Sequence, residues 1–118
     1  MKVGIIGIGA ISSMHLKGLI DHGEQIVALC DIIPEKCSLA SEKFGISPKI
    51  YTDYREMLDS GEVESVHICT PHYLHAEMVI EALGRGINVL CEKPLCIRCE
   101  DIDRILEAER NSTARLGV

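Results

Sequence analysis

The chain has 118 residues, 47% of them hydrophobic and 25% charged, with six cysteines and a formal net charge of -6 at pH 7. That length supports one domain able to bury a core without disulfide or metal staples, and an acidic balance without clustered Lys and Arg excludes a nucleic-acid surface. With no apolar run as long as a membrane span and no secretory pattern at the amino terminus, no membrane partner is expected and the expected location is cytoplasmic.

The first apolar run, Val3-Gly4-Ile5-Ile6, breaks into Gly7-Ile8-Gly9-Ala10-Ile11-Ser12. An apolar run that passes through close-set glycines into helical spacing is how a strand hands over to a helix. Amides at such a turn lack intrahelical partners and, with the helix dipole, form a cradle for a pyrophosphate. Gly7 is expected to make the turn and Gly9 to admit the phosphate, with Ser12 where a third Gly or Ala is usual. An ordinary tight turn would account for the same glycines.

The following helix is predicted over residues 10–22, with Ile11, His15, Leu19 and His22 near one face and Gly23 as its stop. His15 reads as a packed, hydrogen-bonded residue, and His22 and His67 carry no functional signal. Residues 26–30 form a second strand, ended by Asp31. Pro34 opens a helix carrying Cys37, Leu39 and Phe44, with Gly45 as its stop. After a short strand at 49–51, Asp53 caps the next helix, with Glu56 as its reciprocal partner. A fourth strand at 63–69, a helix at 75–83 and a fifth strand at 87–91 follow. The last helix, 100–110, is predicted to turn Ile102, Ile105 and Leu106 inward. Leu116-Gly117-Val118 reads as the start of a sixth strand, so the chain is expected to be the front part of a longer protein.

Strands that are apolar on both faces and alternate with helices imply a parallel sheet covered on each side. The expected fold is therefore α/β, a doubly wound, Rossmann-type single domain with its crevice at the carboxyl ends of strands one and four. Cys30, Cys69 and Cys91 each close an apolar run and read as small buried hydrophobes. Cys96 and Cys99 form a Cys-x-x-Cys without a second pair, and His72 and His75 lack a third ligand, so no metal site is expected.

Asp31 lies 22 residues beyond Gly9, where a carboxylate can accept both ribose hydroxyls of an adenosine; an Asp ending a strand also commonly starts a turn. The carboxylate would repel a 2′-phosphate, and Ile32 and Ile33 supply no cation to offset it, which favours NAD over NADP. Thr70-Pro71 and Glu92-Lys93-Pro94 end strands four and five on the same edge as the glycine turn. Lys93 there could orient a substrate hydroxyl, or could simply pair with Glu92 at the surface.

Taken together, Gly7-Ile8-Gly9-Ala10-Ile11 with His15, Cys30-Asp31, Thr70-Pro71 with His75, and Gly86-Ile87-Asn88-Val89-Leu90-Cys91-Glu92-Lys93-Pro94-Leu95 resemble the amino-terminal half of the Gfo/Idh/MocA oxidoreductases. The resemblance covers essentially the whole chain, and Glu92-Lys93-Pro94 is its most specific part. It implies a nicotinamide cofactor held by Gly7, Gly9, Ala10 and Ile11, with the adenosine ribose on Asp31 beside Ile32. The nicotinamide end would lie near Thr70, Pro71, His72, His75, Glu92, Lys93 and Pro94. Lys93 would be the catalytic lysine that contacts the substrate hydroxyl.

The resemblance further implies hydride transfer with a sugar, cyclitol or related polyol, and a second domain supplying an Asp and a His. The 118 residues alone are then expected to bind NAD without turning over. A non-catalytic NAD-sensing or assembly module is the competing reading, and a methyltransferase is disfavoured by Glu92-Lys93-Pro94. If the sixth strand and the partner domain are absent, the fifth strand's edge and an apolar face of the sheet are left uncovered, which predicts self-association into a homo-oligomer.

Overall fold

A computed structural model describes residues 1–93, 95 and 98–118. Six strands, β1 (Lys2–Ile6), β2 (Gln25–Cys30), β3 (Lys49–Tyr51), β4 (Ser65–Ile68), β5 (Asn88–Cys91) and β6 (Leu116–Gly117), form one sheet in the order β3-β2-β1-β4-β5-β6. Every pairing is parallel. The order reverses direction between β1 and β4, which leaves a crevice outside their carboxyl ends. The helices are α1 (Ser12–Asp21), α2 (Pro34–Phe44), α3 (Tyr54–Asp59), α4 (His75–Gly84) and α5 (Cys99–Arg110), with a 3-10 turn at His72–Leu74 before α4.

Alternation along the strands splits the core in two. Ile5, Leu29 and Cys69 meet Leu16 of α1 and Cys37 of α2 on one face. Ile6, Ala28, Cys30, Val66 and Ile68 meet Met57, Val79, Leu83 and Ile105 on the other. Burial also makes the thiols inert, raising Cys30 and Cys69 to about 12 and Cys37 to about 11.

The helix signals behave as their chemistry requires. Pro34 stands at the start of α2, and Gly45 closes it at φ 64°, with the Ile46 amide returning to the Ser41 carbonyl at 3.0 Å. Asp53 caps α3 by accepting from the Arg55 amide at 2.9 Å. The reciprocal bond expected from Glu56 is absent among the described residues. The predicted fourth strand overran by two residues at one end and one at the other, because Glu64 and Cys69 continue the ladder to Lys2 and Ile6 through single backbone bonds.

Two predicted helix faces are corrected. In α1 the buried positions are Ser12 and Leu16; His15 and Leu19 are half-buried, and Ile11 and His22 are exposed. In α5 only Ile105 is buried, while Ile102 and Leu106 stand 43% and 48% exposed. That helix packs chiefly on α4, so one narrow stripe is covered; Arg104 fastens the seam by reaching Glu77 of α4 at 2.8 Å. Cys99 is exposed, while Cys96 and Pro94 lie outside the described residues.

Candidate cofactor site

The turn from β1 into α1 is shaped by its neighbours. Gly7 has φ 91°, and a side-chain carbon there would come within 2.8–2.9 Å of the backbone of Cys69 and Thr70. Only glycine fits such an approach at a positive φ. Gly9 differs: its φ is not positive, and a side-chain carbon would meet nothing within 4 Å. The Ser12 hydroxyl, buried at the base of α1, donates to the Gly9 carbonyl at 2.6 Å. The amides of Gly9, Ala10 and Ile11 have no acceptor among the described residues, while those of Gly7 and Ile8 are taken up by the Cys30 carbonyl and the Asp31 carboxylate, each at 2.8 Å. The result is three unused donors at a helix N-terminus facing an open space.

That space is a crevice of about 540 Å³ along the carboxyl ends of β1, β2 and β4. Gly7, Gly9, Ala10 and Ile11 form one wall, Asp31 and Ile32 one end, and Thr70 and Pro71 the opposite wall. Asp31 starts the local turn and also ties the β1 turn to the end of β2. Its Oδ1 accepts from the Ile33 amide at 2.9 Å, making the local turn, and its Oδ2 accepts from Ile8. Each carboxylate oxygen retains a second acceptor site.

The remaining sequence-predicted residues lie around the crevice rather than in its wall. His75 is 1% exposed, and its Nε2 bonds to the Thr70 carbonyl at 2.7 Å, so it supports the wall from behind. His72 is exposed on the 3-10 turn and stacks edge-on with Tyr73. Glu92 follows β5 and bonds to His15 Nε2. Lys93 is exposed immediately after it.

Several contributors carried no signal in the sequence reading. Lys36, in the first turn of α2, lines the crevice, so its lining carries a cation as well as the Asp31 carboxylate. Tyr54 also lines it, and its hydroxyl donates to Glu81, which Arg55 Nε approaches at 2.9 Å. Burial first, then the neighbouring Glu81, holds the phenol protonated well above its usual range. Lys36 was legible from its helix position alone; Tyr54 needed the fold.

His67 is the third. Its Nδ1 lies 2.8 Å from His15 Nδ1, and burial, reinforced by the charge His15 can carry, pushes it down to about 4 against the opposing pull of Glu92. Between that value and the ordinary one near 6.5 the unfolded chain binds a proton that the folded one refuses. Stability from neutral His67 is therefore complete above about 6.5 and lost as the pH falls toward 4. Thermal melts from pH 7 to pH 4.5 should show the wild-type midpoint falling more steeply than that of His67→Leu; parallel curves would contradict this.

The sheet order and the glycine-walled crevice define a Rossmann-type domain. The Gfo/Idh/MocA family, described as an oxidoreductase family with an NAD-binding Rossmann fold, matches residues 1–118. The chain belongs to that family. It is 37% identical over 118 residues to the inositol 2-dehydrogenase of Salmonella paratyphi B, covering 98% of this chain and 35% of that protein. Among solved structures it superposes on the WlbA dehydrogenase from Bordetella pertussis, solved with NADH and UDP-GlcNAcA, at a TM-score of 0.90 and 30% identity, over 98% of this chain and 35% of that one. It superposes on the myo-inositol dehydrogenase from Lactobacillus casei, solved with NAD(H) and myo-inositol, at 0.91 and 29%, over 99% and 36%. The chain thus spans about a third of the length of these relatives. Among the described residues no helix is long and apolar enough to cross a membrane.

Proposed function

We propose that this chain binds NAD along the crevice and is the cofactor-binding domain of an oxidoreductase acting on a sugar, cyclitol or related polyol. The observation that carries the reading is the open cradle at Gly9, where unused amides meet a space that no side chain of the protein fills. Residues fit the cofactor along its whole length. Gly9, Ala10 and Ile11 offer donors to a pyrophosphate. Asp31 has acceptor capacity left for ribose hydroxyls, and Ile32, 86% exposed, offers an apolar face to an adenine. Thr70 and Pro71, buttressed by His75, shape the wall leading toward Glu92 and Lys93, with His72 at its rim.

Bound NAD supplies the hydride acceptor. Lys93, a mobile cation at the end of β5, would hold and polarise the oxygen of the substrate hydroxyl. Proton transfer there would be completed by an acid/base from a second domain of the kind the family resemblance implies. NAD is favoured over NADP by the Asp31 carboxylate, with Lys36 tempering the discrimination.

Calorimetric titration of the 118-residue chain tests the binding claim: saturable heat with NAD, weaker heat with NADP and most of the NAD affinity retained by ADP-ribose are expected. Asp31→Ala should lower NAD affinity by roughly tenfold or more, the loss of one or two charge-assisted hydrogen bonds. Absence of heat at millimolar NAD would overturn the reading. An assembly module without chemistry would leave polyol oxidation by the larger protein unaffected by the same substitution.

A further inference from the structure

The groups behind Glu92 form a continuous line of hydrogen bonds for which the cofactor crevice has no use. Glu92 Oε1 meets His15 Nε2, and His15 Nδ1 meets His67 Nδ1 at 2.8 Å, the two rings standing edge to face with centroids 5.0 Å apart. His15 comes from α1, His67 from the middle of β4 and Glu92 from the end of β5, so three separate elements converge on the line. The His15 side chain is only 10% exposed. His67 Nε2 has no partner among the described residues, and its ring is half-buried rather than enclosed.

We propose that His67, His15 and Glu92 form a proton-conducting chain linking solvent on the α1 face of the sheet to the carboxyl edge where Lys93 stands. Its use as a proton outlet rests on the oxidoreductase reading, whose chemistry releases one proton for each hydroxyl oxidised; its geometry does not.

The hydrogen-bond pattern limits where protons can sit. Two Nδ1 atoms at this distance share one hydrogen, and a carboxylate at His15 Nε2 requires hydrogen on that nitrogen. With both rings neutral, His15 carries its proton on Nε2 and His67 donates from Nδ1. Starting from the opposite tautomers and a protonated Glu92, one concerted shift reaches this state. The Glu92 proton passes to His15 Nε2, the His15 Nδ1 proton passes to His67 Nδ1, and the His67 Nε2 proton leaves to water. Glu92 ends as the carboxylate, each ring has exchanged one N–H bond for another, and one proton has crossed the chain.

The surroundings suit such a path. The other titratable group facing it from the same side of β4 is the Cys69 thiol, which burial and the nearby Glu92 and Cys91 keep protonated. A His67 ring that stays neutral through the physiological range can pass a proton without trapping it. Lys93, next in sequence to Glu92, is the nearest cation along the chain.

Nitrogen-15 spectra of the histidine rings in the 118-residue chain test the geometry without any assumption about activity. At pH 8 the expected signals are hydrogen on Nε2 of His15 and on Nδ1 of His67. Either ring in the other tautomer, or no proton shared between them, would overturn the proposal. In the active oxidoreductase that contains this domain, His67→Phe should lower kcat roughly tenfold or more, leave the KM for NAD unchanged, and regain activity on addition of free imidazole; His67→Leu serves the same purpose if the larger ring is not accommodated. An unchanged kcat, or a loss that imidazole does not repair, would show a packing role only and overturn the relay. Failure of the wild-type protein to oxidise any polyol would count against the oxidoreductase reading and the outlet's use, while the ring spectra would still decide whether the chain of protons exists.

Discussion

Gly9→Val should abolish measurable NAD binding while leaving the fold intact. The position has no positive φ to forbid a side chain, and a carbon built there meets no protein atom within 4 Å. The substitution is thus expected to move the melting midpoint by no more than about 2 °C, as for a surface change of a few tenths of a kcal/mol. The isopropyl group would nevertheless occupy the space in front of the Gly9, Ala10 and Ile11 amides. A pyrophosphate could then not approach those donors, and affinity should fall at least a hundredfold, about 2.7 kcal/mol. Calorimetry and a thermal melt on the same preparation check both halves. Retained affinity would mean that the cradle holds no phosphate.

Two residues earlier, Gly7→Ala should have the opposite profile. Its methyl group would lie within 3 Å of three atoms of Cys69 and Thr70, two of them backbone, at a φ that disfavours any side chain. Backbone strain of about 1–2 kcal/mol and overpacking of similar or greater size combine to a loss of about 3 kcal/mol or more. A drop of roughly 10–15 °C in the melting midpoint should follow. Equal stability of Gly7→Ala and wild type would mean that the β1 turn and the end of β4 are not in contact. The pair of substitutions separates a glycine needed by the fold from one needed by a ligand.

The features legible in the sequence are those decided by short-range spacing. Alternating apolar runs and helical periods define a parallel α/β sheet, because buried strands and amphipathic helices each carry their own period. The glycine turn, Asp31 at the end of β2, Pro34 opening α2 and Gly45 closing it are local signals of the same kind. Other features depend on which elements meet. Ile102 and Leu106 have helical spacing with Ile105, yet α5 meets chiefly α4 and covers one stripe. His67 looked inert on its strand because its partner is 52 residues away, and His15 lies 77 residues from Glu92. His75 resembled a ligand-facing residue and instead supports Thr70 from behind. Lys36 joins the crevice lining because α2 begins a few residues after Asp31.

The contact between Gly7 and the backbone at Cys69 and Thr70 has a mechanical consequence. A turn seated this closely on the end of β4 leaves no room for even one added methyl group, so growth at that point would have to displace main chain rather than a flexible side chain.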